Sequence, residues 1–420
     1  MDGVSRTSKG EAQYDMARIA SVRPLTETCR AFYRICQPLL FETIVTWHLD
    51  VGGAECLANV LESKPHLRNM VSKLHITWGS FMTSKVWNRM EKALMELCSI
   101  RELWIWNVKI SRALMDHFQQ CPRLERLVLF HVEIADAGQT IFSFRSLKYL
   151  RCKQVLANFF TTLSLPSLEI LRIGEEFIDE EFQSGSAEPE DHHVFQFNPA
   201  ALKELIIDTS FVLTQSAEAG LLELLERANQ ITSLKLPQDE FSDDFDIPDE
   251  LIPDLEIFDG TGDMVPIFCK GRPVRDLRVS FPHPCIWVRT DDVPSLLPPG
   301  SVPLEHLSIS WCVWEDDTME YIARHCPRLV SLKIRAERVD GTLSTCHAMP
   351  QLRSATFLSM EGPWYEDDDD GRKTESEARI VRECKEFWIG LTYLRLDPDY
   401  FWRYRGLEVE RFEGQEVENP

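Results

Sequence analysis

Cys121-Pro122-Arg123-Leu124-Glu125-Arg126-Leu127-Val128-Leu129 is the stretch whose reading decides the fold. Its leucines follow a Leu-x-x-Leu-x-Leu spacing behind a Cys-Pro pair. Cys326-Pro327-Arg328-Leu329-Val330-Ser331-Leu332-Lys333-Ile334 repeats the pattern almost residue for residue. A single copy would be an ordinary short strand. Many copies at spacings of roughly 20–40 residues mean a stack of repeated units.

Looser copies run outward in both directions. Towards the N-terminus stand Val71-x-x-Leu74-x-Ile76 and Ile100-x-x-Leu103-x-Ile105. Beyond the opening stretch come units at Leu147/Leu150, Leu168/Leu171, Leu202/Leu205, Ile231/Leu234 and a degenerate Leu255/Phe258. Val274/Leu277, Leu304/Leu307, Leu352/Ala355 and Leu391/Leu394 complete about thirteen matches to the template. Between them, apolar residues at helical spacing predict helices over Val86–Leu97, Leu114–Cys121, Leu221–Ala228 and Met319–Cys326. Strand and helix in alternation give parallel strands on a concave face and helices on a convex one.

The predicted fold is therefore an α/β solenoid, with the array over residues 57–405. Residues 1–15 are expected to be a disordered tail, and 406–420 an acidic tail that frays. Insertions at 174–199, 238–254, 282–303 and 359–376 are acidic or proline-rich and belong on loops. Residues 16–46 differ from the array. Leu25, Cys29, Phe32 and Cys36 form the stripe of an amphipathic helix, and Pro38 is read as its break.

Composition excludes several classes. There are 45 basic and 67 acidic residues, a formal net charge of -22. Nonspecific nucleic-acid or anionic-membrane binding needs a basic field, so neither is expected. No apolar run is long enough to span a bilayer, and the first 30 residues carry no secretory h-region. The expected compartment is the cytoplasm, the nucleus or both. The 12 cysteines then read as reduced and mostly buried.

Chemistry is equally sparse. Cys121 and Cys326 lie in separate repeats, and His192-His193 has no cysteine near it, so no metal site is expected. No nucleophile stands beside a base, and no phosphate-cradling glycine loop or His-Glu-x-x-His occurs. The chain is read as neither an enzyme nor a cofactor binder.

The informative positions are those between the last two apolar residues of each unit, which point away from the core. That column reads His75, Trp104, Val128, Arg151, Arg172, Ile206, Lys235, Asp259, Arg278, Ser308, Lys333, Thr356 and Arg395. Six of the thirteen are Lys or Arg, against the acidic balance of the chain. Tyr149, Lys153, Arg335 and Trp106 stand at neighbouring outward positions. The expected partner-binding set is Trp104, Trp106, Arg151, Arg172, Lys235, Arg278, Lys333, Arg335 and Arg395. It describes a groove with an aromatic N-terminal end and a basic stripe, suited to an acidic or phosphorylated target. The plainer reading is a basic side-chain layer that solubilises an open sheet.

Two resemblances fit these residues. The Cys-Pro units resemble the cysteine-containing class of leucine-rich repeat, in which the cysteine closes the preceding helix toward the core. The segment from Leu25 to Ile44 resembles the second half of a fungal-type F-box. That likeness implies a Skp1-like adaptor bound through Leu25, Cys29, Phe32, Ile35, Pro38, Leu39 and Leu40. It implies a substrate-recognition subunit of a Skp1–cullin–F-box (SCF) ubiquitin ligase. The Leu-Pro-x-Glu helix that opens an F-box is not found upstream of Leu25: it has diverged, or the chain is truncated relative to its relatives. A repeat scaffold that has lost Skp1 binding therefore stays open as the alternative. The segment also serves as a cap on the open end of the array.

Overall fold

The computed structural model describes residues 30–46, 49–77, 84–135, 142–155, 163–174, 199–208, 215–236, 241, 245–280, 297, 302–314, 316–339, 349–359, 380–382, 384, 386, 388–396, 400–405 and 408–413. Residues 1–15, Leu25, Cys29 and most of the predicted insertions lie outside the described residues. The chain divides into two compact units. One comprises Met1–Leu202 with Ala219–Ala228, the other Lys203–Glu218 with Asn229–Pro420.

In the first unit, β1 (Thr43–Val45), β2 (Lys73–Thr77), β3 (Glu102–Ile110) and β4 (Arg126–Ile134) pair in parallel, each with the next. A short parallel pair, β5 (Phe142–Ser143) with β7 (Leu163–Ser164), forms a separate two-stranded sheet. β6 (Tyr149–Val155) extends the main ladder from β4, and β8 (Ile170–Gly174) follows it. Along this ladder Leu74, Ile76, Leu103, Ile105, Leu127, Leu129, Leu150, Cys152, Leu171 and Ile173 are at most 2% exposed. These are the template positions, and they pack inward because side chains of a strand alternate between faces.

The second unit builds the same ladder. It contains β9 (Glu204–Asp208), β10 (Ser233–Lys235), β11 (Ile257–Thr261), β12 (Asp276–Ser280), β13 (His306–Trp314), β14 (Ser331–Val339), β15 (Ser354–Ser359) and β16 (Tyr393–Arg395). β17 (Tyr400–Arg405) then adds antiparallel to β16, and β18 (Glu408–Glu413) antiparallel to β17.

One backbone device fixes register in both ladders. The carbonyl just before a strand accepts two consecutive N–H groups from the next repeat. In the first unit Arg101 accepts from Glu125 and Arg126, and Glu125 accepts from Lys148 and Tyr149. In the second, Thr232 accepts from Glu256 and Ile257, and Glu305 from Val330 and Ser331. A one-residue slip would break these bonds and turn every leucine to the wrong face.

The predicted helices appear as Ser84–Leu94, Arg112–Gln119, Gln215–Arg227 and Asp316–His325. Ser111 caps the second of them, its hydroxyl accepting from Leu114 N at 3.1 Å. Cys121 ends it: its N–H donates to Phe118 O, and its thiol reaches Leu97 O at 3.5 Å. Burial pushes the Cys121 and Cys326 thiols up to about 11, so both are inert core groups.

Three boundaries differ from expectation. The N-terminal helix runs Arg30–Phe41, through Pro38 rather than ending at it. Pro38 lies in the last turn, where a ring that removes one N–H interrupts little of the helix that follows. Among the described residues the first strand is Thr43–Val45, ahead of the array's expected start near 57, because this β-branched run pairs with β2. The region expected to fray from 406 instead supplies β18. Its register sets Glu410 opposite Arg403 and Glu408 opposite Arg405.

Asn107 and His131 hold φ of 50° and 51° at equivalent places in β3 and β4. The register skips both, pairing Trp106 with Phe130 and Val108 with Val132. The register is the same on both sides of them, so the two strands make the same left-handed turn side by side, and the valine after each is buried. Asn and His tolerate this left-handed backbone, whereas β-branched residues are disfavoured in it. His131→Gly, which keeps the left-handed backbone, is expected to cost less in urea unfolding than a β-branched replacement. His131→Val is expected to cost about 1–3 kcal/mol.

Candidate recognition surface

The outward column is in register in each unit. In the first it reads Val45, His75, Trp104, Val128, Arg151 and Arg172, strand to adjacent strand. In the second it reads Ile206, Lys235, Asp259, Arg278, Ser308, Lys333, Thr356 and Arg395. Neighbours in such a row stand about 4.8 Å apart. At that spacing large side chains cover one another, and the two units use the closeness differently.

In the first unit the row is built from rings and guanidinium groups. Trp104 stacks on His75 at 5.2 Å between centroids, and its Nε1 donates to Glu102 Oε1 at 2.6 Å. Arg126 lies over both Trp104 (5.5 Å) and Tyr149 (4.4 Å). Arg151 lies over Phe130 at 5.1 Å, and Arg172 over Tyr149 at 5.7 Å. Trp106 tilts against Phe130. Each cation–ring contact contributes about 0.5–2 kcal/mol, the more as water is excluded.

This packing corrects the expected aromatic end of a groove. Trp104 is only 7% exposed and Val128 is fully covered, although both point away from the leucine core. They form a second, smaller apolar cluster with Phe130, flanked by half-buried Trp106 and Tyr149. What this face offers solvent is the arginines over the rings. Arg126 and Phe130 were not among the expected site residues. A two-residue step along β4 from Val128 reaches both.

In the second unit the basic stripe is neutralised where Lys235 and Arg278 stand. Lys235 Nζ is 2.5 Å from Asp208. Arg278 donates to both oxygens of Asp276, at 3.2 and 2.8 Å. Between them Asp259 is held above the usual carboxylate range by burial, opposed by the two cations. Lys333 and Arg335 are exposed further along, and Arg395 is half-buried beside Thr356.

Of the adaptor residues expected from the F-box likeness, Phe32 and Ile35 lie in the helix, their side chains outside the described set. Pro38 and Leu39 are exposed and Leu40 is half-buried. Among the described residues no group of three His, Cys, Asp or Glu could hold a metal ion. No described helix is long and apolar enough to cross a membrane.

The fold is that of a leucine-rich repeat solenoid. No protein-family model matches the sequence, and no curated protein matches it. Similar solved structures include a TLR13–ssRNA13 complex, at 14% identity and a TM-score of 0.34, covering 69% of this chain and 36% of that one. The chain thus spans well under half of that neighbour. The yeast Rad7–Elc1 complex matches at 12% identity and 0.33, covering 92% and 89%. An internalin from Listeria monocytogenes matches at 11% and 0.30, covering 74% and 91%. Likeness at this level carries nothing about what the chain binds.

Proposed function

We propose that this chain is the substrate-recognition subunit of an SCF-type ubiquitin ligase. The end of helix Arg30–Phe41 docks a Skp1-like adaptor, and the repeats hold a target protein. The chain makes and breaks no bond; other subunits carry the ubiquitin chemistry. One observation carries the reading. The F-box-like helix passes through a single residue, Glu42, into β1, so adaptor and repeats would be coupled with no slack. Leu39, at 39% exposure, is also one of two large hydrophobic side chains exposed among the described residues. An adaptor would cover it.

The second reading is a repeat scaffold working without the ligase, favoured by residues 1–24, which contain no Leu-Pro-x-Glu. Co-purification of the full chain with Skp1 separates the two. Retention is expected, and Leu39→Glu with Leu40→Glu should weaken it at least about tenfold, as removal of central apolar anchors does. Failure of the unaltered chain to retain Skp1 leaves the scaffold reading in its place.

A further inference from the structure

The outward row of the second unit alternates in charge. Lys235, Asp259 and Arg278 are register partners on β10, β11 and β12, about 4.8 Å from strand to strand. Both cations are engaged to the side. Lys235 Nζ meets Asp208, and Arg278 donates to both oxygens of Asp276. Asp259 is half-buried between them, and its carboxylate has no hydrogen bond and no ion pair. Two neutral pairs thus flank one uncompensated charge. Thr261 stands two residues along β11, on the same face by strand alternation and still in register with Ser280. It is 2% exposed, and its hydroxyl has no hydrogen-bond partner. Buried polar groups of a folded chain are normally hydrogen-bonded. Two orphans side by side on one strand face are what a ligand with the opposite needs would satisfy.

We infer that the outward face of the second unit, at Asp259 and Thr261, receives one basic side chain, a lysine or an arginine, from an extended segment of the target protein. The inference rests on the reading of this chain as a target-binding repeat protein and names a group the target must carry. Charge decides for a cation. The pairs Lys235–Asp208 and Arg278–Asp276 cancel, so the row keeps one negative charge at Asp259. An incoming ammonium or guanidinium group completes the alternation. It donates to a carboxylate that has no donor, and such charge-assisted bonds are about twice as strong as neutral ones. The Thr261 hydroxyl adds an acceptor beside it. An acidic or phosphorylated segment would instead meet Asp259 as a like charge. A bare metal ion lacks ligands, since among the described residues no three His, Cys, Asp or Glu could hold one. A water molecule would satisfy hydrogen bonds and leave the charge. A proton is the natural competitor. Burial raises the Asp259 carboxyl above the usual range, Lys235 and Arg278 oppose the rise, and Asp208 and Asp276 add to it. Glu204, on β9, is the other acidic group of this face. A bound cation and a proton exclude each other at Asp259, so acid should weaken binding.

The test uses the full chain and short fluorescent peptides of serine and glycine with one central lysine, arginine or norleucine. The two basic peptides are expected to bind the unaltered chain, and the norleucine peptide not to. A net charge of -22 attracts any cation, so the variants decide. Asp259→Asn should weaken the basic peptides about tenfold or more, the loss of a charge-assisted bond. Glu223→Gln removes the same charge from helix Gln215–Arg227 and should stay within about twofold. Thr261→Val should weaken the basic peptides about threefold to tenfold. It should leave the urea midpoint unchanged or higher, since the hydroxyl it removes has no partner in the folded chain. Affinity should fall from neutral to mildly acid pH, and Asp259→Asn should abolish that dependence. The inference falls if neither basic peptide binds the unaltered chain, or if the norleucine peptide binds as well. It falls equally if Asp259→Asn binds like the parent, if Glu223→Gln loses as much, if Thr261→Val lowers the urea midpoint, or if magnesium or calcium ions displace the peptides at matched ionic strength. Skp1 retention is read separately: a chain that retains Skp1 and ignores these peptides loses this inference alone, and one that binds them without Skp1 loses the ligase reading alone.

Discussion

Arg272→Met is expected to destabilise the second unit by at least about 3 kcal/mol. Arg272 is 1% exposed, and its guanidinium group donates to five backbone carbonyls. Leu251 and Pro248 accept at 3.0 and 2.9 Å; Ile267, Phe268 and Lys270 accept at 3.1 to 3.4 Å. The first two belong to the loop before β11, the others to the short helix Val265–Phe268 and the turn after it. One side chain therefore ties two irregular segments of neighbouring repeats together. The loop also holds Ile252 at a φ of 46°, a left-handed backbone that a β-branched residue disfavours by about 1–3 kcal/mol. Ile252 is fully buried, so its packing and the bonds of Arg272 to the preceding carbonyls hold it there. Hydrogen bonds to a charged donor contribute about 1.5–3 kcal/mol each, though not additively, and methionine leaves the carbonyls without that donor. Lysine cannot reach both segments with a single ammonium, so Arg272→Lys should recover less than half of the loss. Urea unfolding followed by Trp fluorescence measures both. A loss under about 1 kcal/mol for Arg272→Met would mean the carbonyls find other partners at no cost.

Nothing in the repeat template announces Arg272. The template concerns strands, and this arginine serves the loops between them. The ladder itself was legible in the sequence because a leucine period survives wherever strands must pack: even the degenerate Leu255/Phe258 unit became β11, with Phe258 fully buried. Boundaries were harder. Thr43-Ile44-Val45 reads as strand-like, but that it pairs into the ladder ahead of the first repeat match is not local information, nor is the pairing of Glu410 with Arg403. The outward column was also legible, but its meaning was not. Counting Lys235 and Arg278 as basic ignores Asp208 on the neighbouring strand and Asp276 two residues away. Counting Trp104 as exposed ignores His75, Arg126 and Phe130, which reach it only once register is set. A one-column reading sees direction, whereas exposure depends on neighbouring columns and strands.

Trp104→Ala tests that difference directly and should cost the first unit about 3–4 kcal/mol, in the range of buried aromatic truncations. The ring stacks on His75, supports Arg126 and packs against the cluster of Val128 and Phe130. Its Nε1 bond to Glu102 is a separate contribution. Trp104→Phe keeps most of the apolar area and loses that bond, so about 1 kcal/mol is expected. Glu102 is not stranded by either change, since Lys73 and Arg126 both lie within 4.0 Å of it. The order of the two variants is the useful result. If Trp104→Ala costs no more than Trp104→Phe, the ring is a solvated surface group. If alanine costs several times more, the outward face of this sheet is a packed layer, and Arg126 depends on it.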